Sequence, residues 1–476
     1  MQTRLYIGGK WIDTAGAMQV RNPFTGEQVA RVSLGDESTL DCAISAAHAA
    51  FPMTRNIPAH QRAEILLRIA RGIETRKDEF AMTMISEAGK PITYADAEVL
   101  RAISTFSLAA EEARRWNGAS GEVLALDATT PGAGHIGMSR RFPIGVIGAI
   151  TPFNFPLNLV AHKVAPCLAT GNTMVVKPAA KTPLTALMLA EVLAEAAVPT
   201  GQVNFVTCSN EHAARLVTDE RVAMLSFTGS PDVGWKLKAL AGKKRVCLEL
   251  GGNAGVIVHD DADLAAAVPL IATGGFSNAG QSCISVQRIF VHEKIHADFK
   301  ARLIAHIREK VKTGDPCDRA TVVGPMITAE ALAKTRALIA GAISAGGRLV
   351  VGGEMRGHCL EATVLDDVPL SHEACTSELF APVVTLHRYA DFDEALRLVN
   401  DSRFGLQAGI FTNDIRRAMH AFDILDVGGV LINQVPTWRV ENMPYGGVKD
   451  SGFGREGVRC AMEEMTEIKT LIFRNS

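Results

Sequence analysis

The sequence predicts an α/β protein made of two doubly wound α/β domains and a small β arm, and three observations carry that prediction. Between residues 142 and 250 short apolar runs alternate with helical ones, as parallel strands joined by helices require. A second alternating block follows from 254 to about 430. Ahead of the first block, NGASGEVLALDATTPGAGHIGMSRRFP interrupts the helical text with turn residues and short alternating stretches, the pattern of a hairpin that leaves the main body. At 476 residues the chain exceeds what one hydrophobic core serves, so two or three structural units fit its length.

Taken in order, residues 60 to 116 carry long apolar periodicity through QRAEILLRIARGIETRKDEFAMTMISEAGK, and Pro91 opens a second helical run through YADAEVLRAISTFSLAAEEARRW. Both read as amphipathic surface helices. After the hairpin, the first block reads IGVIGAI, LNLVAHKVAPCLATG, TMVVKPA, PLTALMLAEVLAEAAVP, QVNFVTC, EHAARLVTD, RVAMLSFTGS, PDVGWKLKALA and KRVCLELGG, strand and helix by turns. Doubly wound sheets bind ligands beyond the carboxyl ends of their strands, so the residues that close each run are the ones to inspect. The second block supplies AGVIVHD, QRIFVHE, DFKARLIAHIREKV and APVVTLHRYADFDEALRLVNDS.

Charge and composition exclude several classes. Forty-nine basic against 51 acidic residues leave a net charge of -2, with no electrostatic footprint for nucleic acid. The opening MQTRLYIGGKWIDTAG lacks a basic stretch followed by an apolar one, and no window stays apolar for the about 18 residues a membrane span needs. A cytoplasmic protein with no membrane partner is expected. The nine cysteines are odd in number and include no C-x-x-C pair, so they fit neither a disulfide framework nor a zinc ribbon, and no metal is expected.

Five places invite chemistry. Cys283, in NAGQSCISVQR, is either an inert core thiol or a nucleophile; Gly280 before it, with Gln281 and Ser282, gives the backbone freedom to present amides beside the sulfur. Glu249 closes an apolar run in CLELGGNAG, where poor solvation raises a carboxyl toward the working range of a base, unless it simply accepts N–H bonds from the turn. Asn154, in TPFNFPLN, either donates to a developing oxyanion or forms an Asx turn. Lys177 ends TMVVK, facing a ligand or snorkelling to water. In FTGSPDVG, Gly229 and Ser230 precede Pro231 at a helix start, which suits a pyrophosphate. HEKIH, residues 292 to 296, formally matches a zinc metallopeptidase signature. It is rejected, because a strand ends directly before it, its histidines fall in the first turn of a charged solvated helix, and Arg302 stands where the extended motif has histidine.

The stretches TPFNFP, VVKPA, FTGS, LELGG, GQSC, ELFAPV and MPYGGVKDSGFGRE resemble, in order and over nearly the whole chain, the signatures of the aldehyde dehydrogenase superfamily. The resemblance implies that Cys283 attacks an aldehyde, that Asn154 and the cysteine's own N–H hold the oxyanion, and that hydride passes to the nicotinamide of NAD or NADP. It implies that Glu249 then activates water against the thioester. Lys177 and Glu378 would grip the two riboses and the Gly229–Ser230 turn the pyrophosphate, with Thr151, Pro152, Phe153, Ala179, Ala180, Leu250 and Phe380 as further cofactor contacts. It also implies a Rossmann-like cofactor domain (1–118 and 140–249) and a catalytic domain (250–449). Bridging segments (119–139 and 459–476) would pair as strands across the subunits of a homodimer or homotetramer. The presence of Cys283, Glu249, Asn154 and Lys177 together argues against a non-enzymatic protein that has inherited the fold without its activity.

Substrate and cofactor choice follow from finer resemblances. NLVAHKVAPCLATG and CISVQR are similar to the lactaldehyde dehydrogenase branch, and His162 stands where succinate-semialdehyde dehydrogenases tend to carry arginine. Arg439, in NQVPTWRVENMPYGG, is expected beside an anionic or hydroxylated tail, unless it is a surface arginine. A coenzyme-A-acylating activity is the alternative, and Glu249 favours hydrolysis over it. KPAAK places Ala180 where NAD-preferring members commonly have glutamate, and Lys181 follows, so NADP is expected to be accepted at least comparably with NAD. Cys283 is also expected to be the thiol most readily alkylated, from its exposure.

Overall fold

The structure is a computed structural model that describes residues 3–116 and 121–474. Of the segments named above, residues 1, 2, 117–120, 475 and 476 lie outside the described residues. Two sheets organise the chain. The first has eight strands in the order Lys10–Ile12, Leu5–Ile7, Val203–Phe205, Thr173–Lys177, Val146–Ile150, Val222–Thr228, Arg245–Glu249, Gly452–Phe453. Its five central strands run parallel. Val146–Ile150, the first of them in sequence, lies in the middle, so the chain winds outward through 173–177 and 203–205 and then reverses to 222–228. That reversal opens a crevice at the carboxyl ends of Val146–Ile150 and Val222–Thr228, where a doubly wound sheet takes its ligand.

The five central strands are almost wholly buried. Helix Asn158–Thr170 is buried along its whole length, and its His162 and Lys163 are therefore interior groups that need partners. Helix Ile92–Arg115 departs from the expected surface helix. It packs against both Ala59–Thr75 and Asn158–Thr170 and buries Glu98 and Thr105, because its alanine-rich face lets neighbouring backbones approach closely. The second sheet has seven strands, in the order Arg348–Val351, Thr363–Asp366, Val383–Tyr389, Val286–His292, Ala254–Val258, Gln407–Phe411, Gly429–Ile432. All are parallel except the edge strand Arg348–Val351. Among the described residues no helix is long and apolar enough to cross a membrane.

The arm is a three-stranded sheet. Glu122–Leu124 pairs with His135–Pro143 as the hairpin reading expects, and Thr466–Arg474 lies antiparallel along the whole of His135–Pro143. The two segments pair with each other within one chain, from Thr466 opposite Pro143 to Arg474 opposite His135. Thr466–Arg474 is left as an edge strand with Ile468, Leu471, Ile472 and Phe473 each about half exposed.

Some elements escaped the sequence reading. The strands Leu5–Ile7 and Lys10–Ile12 and the hairpin of Gly16–Arg21 with Gln28–Leu34 were not anticipated, and EHAARLVTD forms two one-turn helices, Asn210–Ala213 and Arg215–Thr218. HEKIH is also different in kind from a solvated helix start. His292 is the last residue of strand Val286–His292, and both His292 and His296 are buried. His292 packs on the rings of His259 and Tyr389, whereas His296 turns to Asp366 at 3.8 Å, so the two imidazoles serve separate contacts.

Candidate active site

A cavity of about 450 Å³ opens at the crevice, and both sheets contribute to its wall. Phe153, Asn154, Gly229 and Ser230 come from the first sheet, while Cys283, Glu378, Phe380 and Tyr445 come from the second half of the chain. Helix Ile92–Arg115 closes one side with Tyr94 and Arg101. One sulfur therefore meets a ligand-sized space.

Cys283 reaches it through an unusual backbone. Asn278, Ala279 and Gly280 are all left-handed, with φ of 51°, 56° and 66°. A Cβ on Gly280 would lie 2.0 Å from the Ala381 carbonyl oxygen, so only glycine fits there. The Cys283 side chain is half-buried, and its Sγ lies 3.2 Å from the Tyr445 hydroxyl. Burial pushes the thiol up to about 12, the hydrogen bond from Tyr445 opposes this, and the charges of Glu378 and Glu249 add to the rise. Exposure does not single this thiol out as expected, since Cys42 and Cys317 are more exposed; all nine cysteines are free.

Asn154 is buried in the loop after Val146–Ile150. Its side chain forms no Asx turn: Nδ2 donates to the Gln281 carbonyl at 3.1 Å, two residues before the cysteine, and Oδ1 has no partner. Glu249, at the end of its strand, is buried with neither carboxylate oxygen hydrogen-bonded, which removes the turn-acceptor reading. Burial and the neighbouring Glu456 charge raise its pKa well above the carboxylate range, against the pull of Arg439 and Lys163. The carboxylate does not line the cavity. It turns toward Gly446, where a Cβ would approach Oε1 to 2.9 Å.

The cofactor side is built from strand ends. Lys177 is buried, not snorkelling, and donates to Asn210 Oδ1 at 3.0 Å. Glu378 accepts from the Gly252 N–H at 2.9 Å, lies so close to Gly251 that a Cβ there would come within 2.5 Å of Oε2, and is pushed up to about 7 by burial. Gly229 lies flat on the Phe227 ring, and Ser230 precedes helix Pro231–Leu240 without capping it, which leaves the first N–H groups without a side-chain acceptor. The buried Thr228 hydroxyl beside them also lacks a partner. These open donors fit a diphosphate. Thr151 and Leu250 are buried at the same edge, Pro152 lines the cavity, and the rings of Phe153 and Phe380 meet edge-on at 5.7 Å. Ala179 is half-buried and Ala180 and Lys181 are exposed; Glu330 is lowered chiefly by its own backbone N–H and the Thr328 hydroxyl, with the Lys181 charge the smallest contribution.

Of the expected tail contacts, Arg439 lines the cavity and His162 does not. The Arg439 side chain is only 5% exposed, which overturns the surface-arginine reading. Its guanidinium lies 3.6 Å from the centre of the Tyr445 ring, Nη2 faces Glu456 at 3.4 Å, and Nε has no partner. His162 is drawn away by a hydrogen bond to Glu441, which also takes Arg101 Nε at 2.5 Å. Lys163 completes the cluster, donating to Glu456 at 2.9 Å and Ser226 at 3.0 Å. Sequence reasoning missed Tyr445, Arg101, Lys163, Glu441 and Glu456 as site residues, although MPYGG and the AHK of the buried helix carried the signal for two of them.

The sequence profile of the Aldehyde dehydrogenase family matches residues 11–471. The chain is 40% identical to the 3-sulfolactaldehyde dehydrogenase of Priestia aryabhattai over 472 residues, 99% of this chain and 98% of that one. It superposes on aldehyde dehydrogenase 21 from Physcomitrella patens, solved with the reaction product succinate, with a TM-score of 0.96, 42% identity and coverage of 99% and 98%. The glyceraldehyde-3-phosphate dehydrogenase GapN of Methanocaldococcus jannaschii, solved with NADP, gives 0.92, 39% identity and coverage of 97% and 100%.

Proposed function

The chain belongs to the aldehyde dehydrogenase family and is an NAD(P)-dependent enzyme; on that premise we propose that it oxidises a small aldehyde with an acid- or hydroxyl-bearing tail to the carboxylic acid, through a covalent bond to Cys283. The observation that carries this reading is the composition of one cavity, whose wall holds the Cys283 sulfur together with the guanidiniums of Arg101 and Arg439. An anionic or hydroxylated tail satisfies the unpaired Arg439 Nε–H while the aldehyde carbon meets Sγ.

Attack forms the C–S bond and moves the carbonyl pair to oxygen. The Cys283 N–H and the Asn154 amide receive that charge, and for this Asn154 exchanges the Gln281 carbonyl for the oxyanion. Bound NAD(P), held at Lys177, Glu378 and the Gly229–Ser230 turn, supplies the acceptor for the hydride. Glu249 then rotates from Gly446 toward the cavity and takes a proton from the water that attacks the thioester, and its raised pKa suits that task. A coenzyme-A-acylating enzyme needs no such base, so Glu249 supports hydrolysis.

We read the first sheet as the cofactor domain (1–118 and 140–249) and the second as the catalytic domain (250–449), working in the cytoplasm, where nine free thiols stay reduced. The open apolar edge of Thr466–Arg474 supports a homodimer or homotetramer, and an active monomer after deletion of 466–476 would count against it. The substrate test is a panel of lactaldehyde, glycolaldehyde, succinate semialdehyde and sulfonate- or phosphonate-bearing aldehydes. Polar aldehydes are expected to give the highest kcat/KM; a clear preference for long aliphatic ones overturns the reading.

A further inference from the structure

We propose that Tyr445 is a further catalytic residue: its hydroxyl donates a hydrogen bond to the Cys283 thiolate and so sets how much of that sulfur is nucleophilic near neutral pH. This rests on the reading of Cys283 as the nucleophile. Among the described residues, the Tyr445 hydroxyl is the group in hydrogen-bond contact with Sγ, at 3.2 Å. The other donor at this end, the Asn154 amide, is engaged by the Gln281 carbonyl.

The phenol is fixed from three sides. Its backbone forms a two-way bridge with Glu456, N to O at 3.0 Å and back at 2.6 Å. Its ring packs with Ile284 and Leu406 and carries the Arg439 guanidinium on one face. Burial raises the phenol well above its ordinary range, so it keeps its proton near neutral pH. A neutral thiol can donate or accept in this contact; a thiolate can only accept. The bond is therefore obligatory from Tyr445 to sulfur in the reactive form, and a hydrogen bond to the charged form favours that form. The thiol proton leaves to water, the remaining pair on sulfur becomes the C–S bond, and Tyr445 retains its own proton throughout. The charged groups bearing on Sγ besides Tyr445 are Glu378 and Glu249, which oppose ionisation, and Arg439, which assists it.

The test is the pH dependence of Cys283 alkylation by iodoacetamide, followed by peptide mapping, in three proteins: wild type, Tyr445→Phe, and a protein with 3-fluorotyrosine placed at 445 alone. Losing the donor is expected to raise the apparent pKa of Cys283 by roughly one unit, slowing alkylation about tenfold below it. The more acidic fluorinated phenol is expected to lower it. NAD(P) binding, measured by fluorescence, reports that each protein is folded. Coincident pH profiles in all three proteins overturn the proposal, as does a shift of the same sign in both variants. Should alkylated wild type still oxidise aldehyde, the nucleophile assignment itself fails, and that outcome is separable from the first.

Discussion

The two ends of the cavity are built in opposite ways. At the guanidinium end nearly every charge is engaged: Arg101 and His162 hold Glu441, while Lys163 and Arg439 hold Glu456. At the sulfur end hydrogen-bonding capacity is left open, with both Glu249 oxygens and Asn154 Oδ1 unpaired. Buried groups stand at both, Glu441 and Glu456 at the one and Glu249 and Asn154 at the other, so desolvation alone does not distinguish them. What differs is whether a buried group already has its partner. Engaged groups are rigid and recognise; open ones are held ready for charge that arises only during the reaction.

The comparison breaks most decisively at the sulfur. Cys283→Ala is expected to lower kcat/KM for aldehyde oxidation by about 10⁴-fold or more, measured as reduced cofactor formed, with cofactor binding intact. Retained activity would falsify the covalent mechanism. Glu249→Gln is expected to cost about 10²–10⁴ in steady-state turnover while a single-turnover burst of reduced cofactor survives, because only deacylation needs the base. The pH dependence has a definite sign. Since burial raises the Glu249 carboxyl well above its ordinary 4.5, the base loses its proton only at that higher pH, and deacylation is expected to speed up as pH climbs through it. The same limb should vanish in Glu249→Gln, and a limb that persists assigns the base elsewhere.

Smaller effects are expected at the engaged end. Arg101→Gln leaves Glu441 its bond to His162, so the fold should stand, and KM for an anionic aldehyde is expected to rise about tenfold with kcat little changed. A loss confined to kcat would show that this end takes part in chemistry and would erase the distinction. The mildest change lies outside both ends. Ala180→Glu, at an exposed position beside Lys181, is expected to shift the NAD-to-NADP ratio of kcat/KM about tenfold toward NAD, since a carboxylate there repels a 2′-phosphate. An unchanged ratio would show that the missing glutamate does not set cofactor choice.

The sulfur end was legible in the sequence, and the engaged end was not, for a physical reason. Asn154, Lys177 and Glu249 each sit at or just past the end of a five-residue strand with a turn beyond, and Cys283 follows a glycine that only glycine can replace, so local patterns reveal them. The charge cluster is assembled by pairs such as Arg101–Glu441 and Lys163–Glu456, separated by 340 and 293 positions. No local pattern encodes a partner at that distance. His162 illustrates the limit. Its place on the helix was read correctly, but Glu441 draws its ring away from the substrate space. The short strands Leu5–Ile7 and Lys10–Ile12 escaped because three residues give too little alternation to register.

The backbone bridge that joins Tyr445 to Glu456 has a consequence for the life of the chain before it is complete. Cys283, Asn154 and Glu249 emerge from the ribosome first, and Tyr445 follows 162 positions after the cysteine. At about 5–20 residues per second, the sulfur waits roughly ten to thirty seconds for its hydroxyl partner. Arg439, Glu441 and Glu456 arrive in the same late segment, and the last strand, Thr466–Arg474, then closes onto residues made more than three hundred positions earlier. A chain interrupted before residue 439 would carry Cys283 and Arg101 but neither the hydroxyl that meets the sulfur nor the guanidinium stacked on that ring.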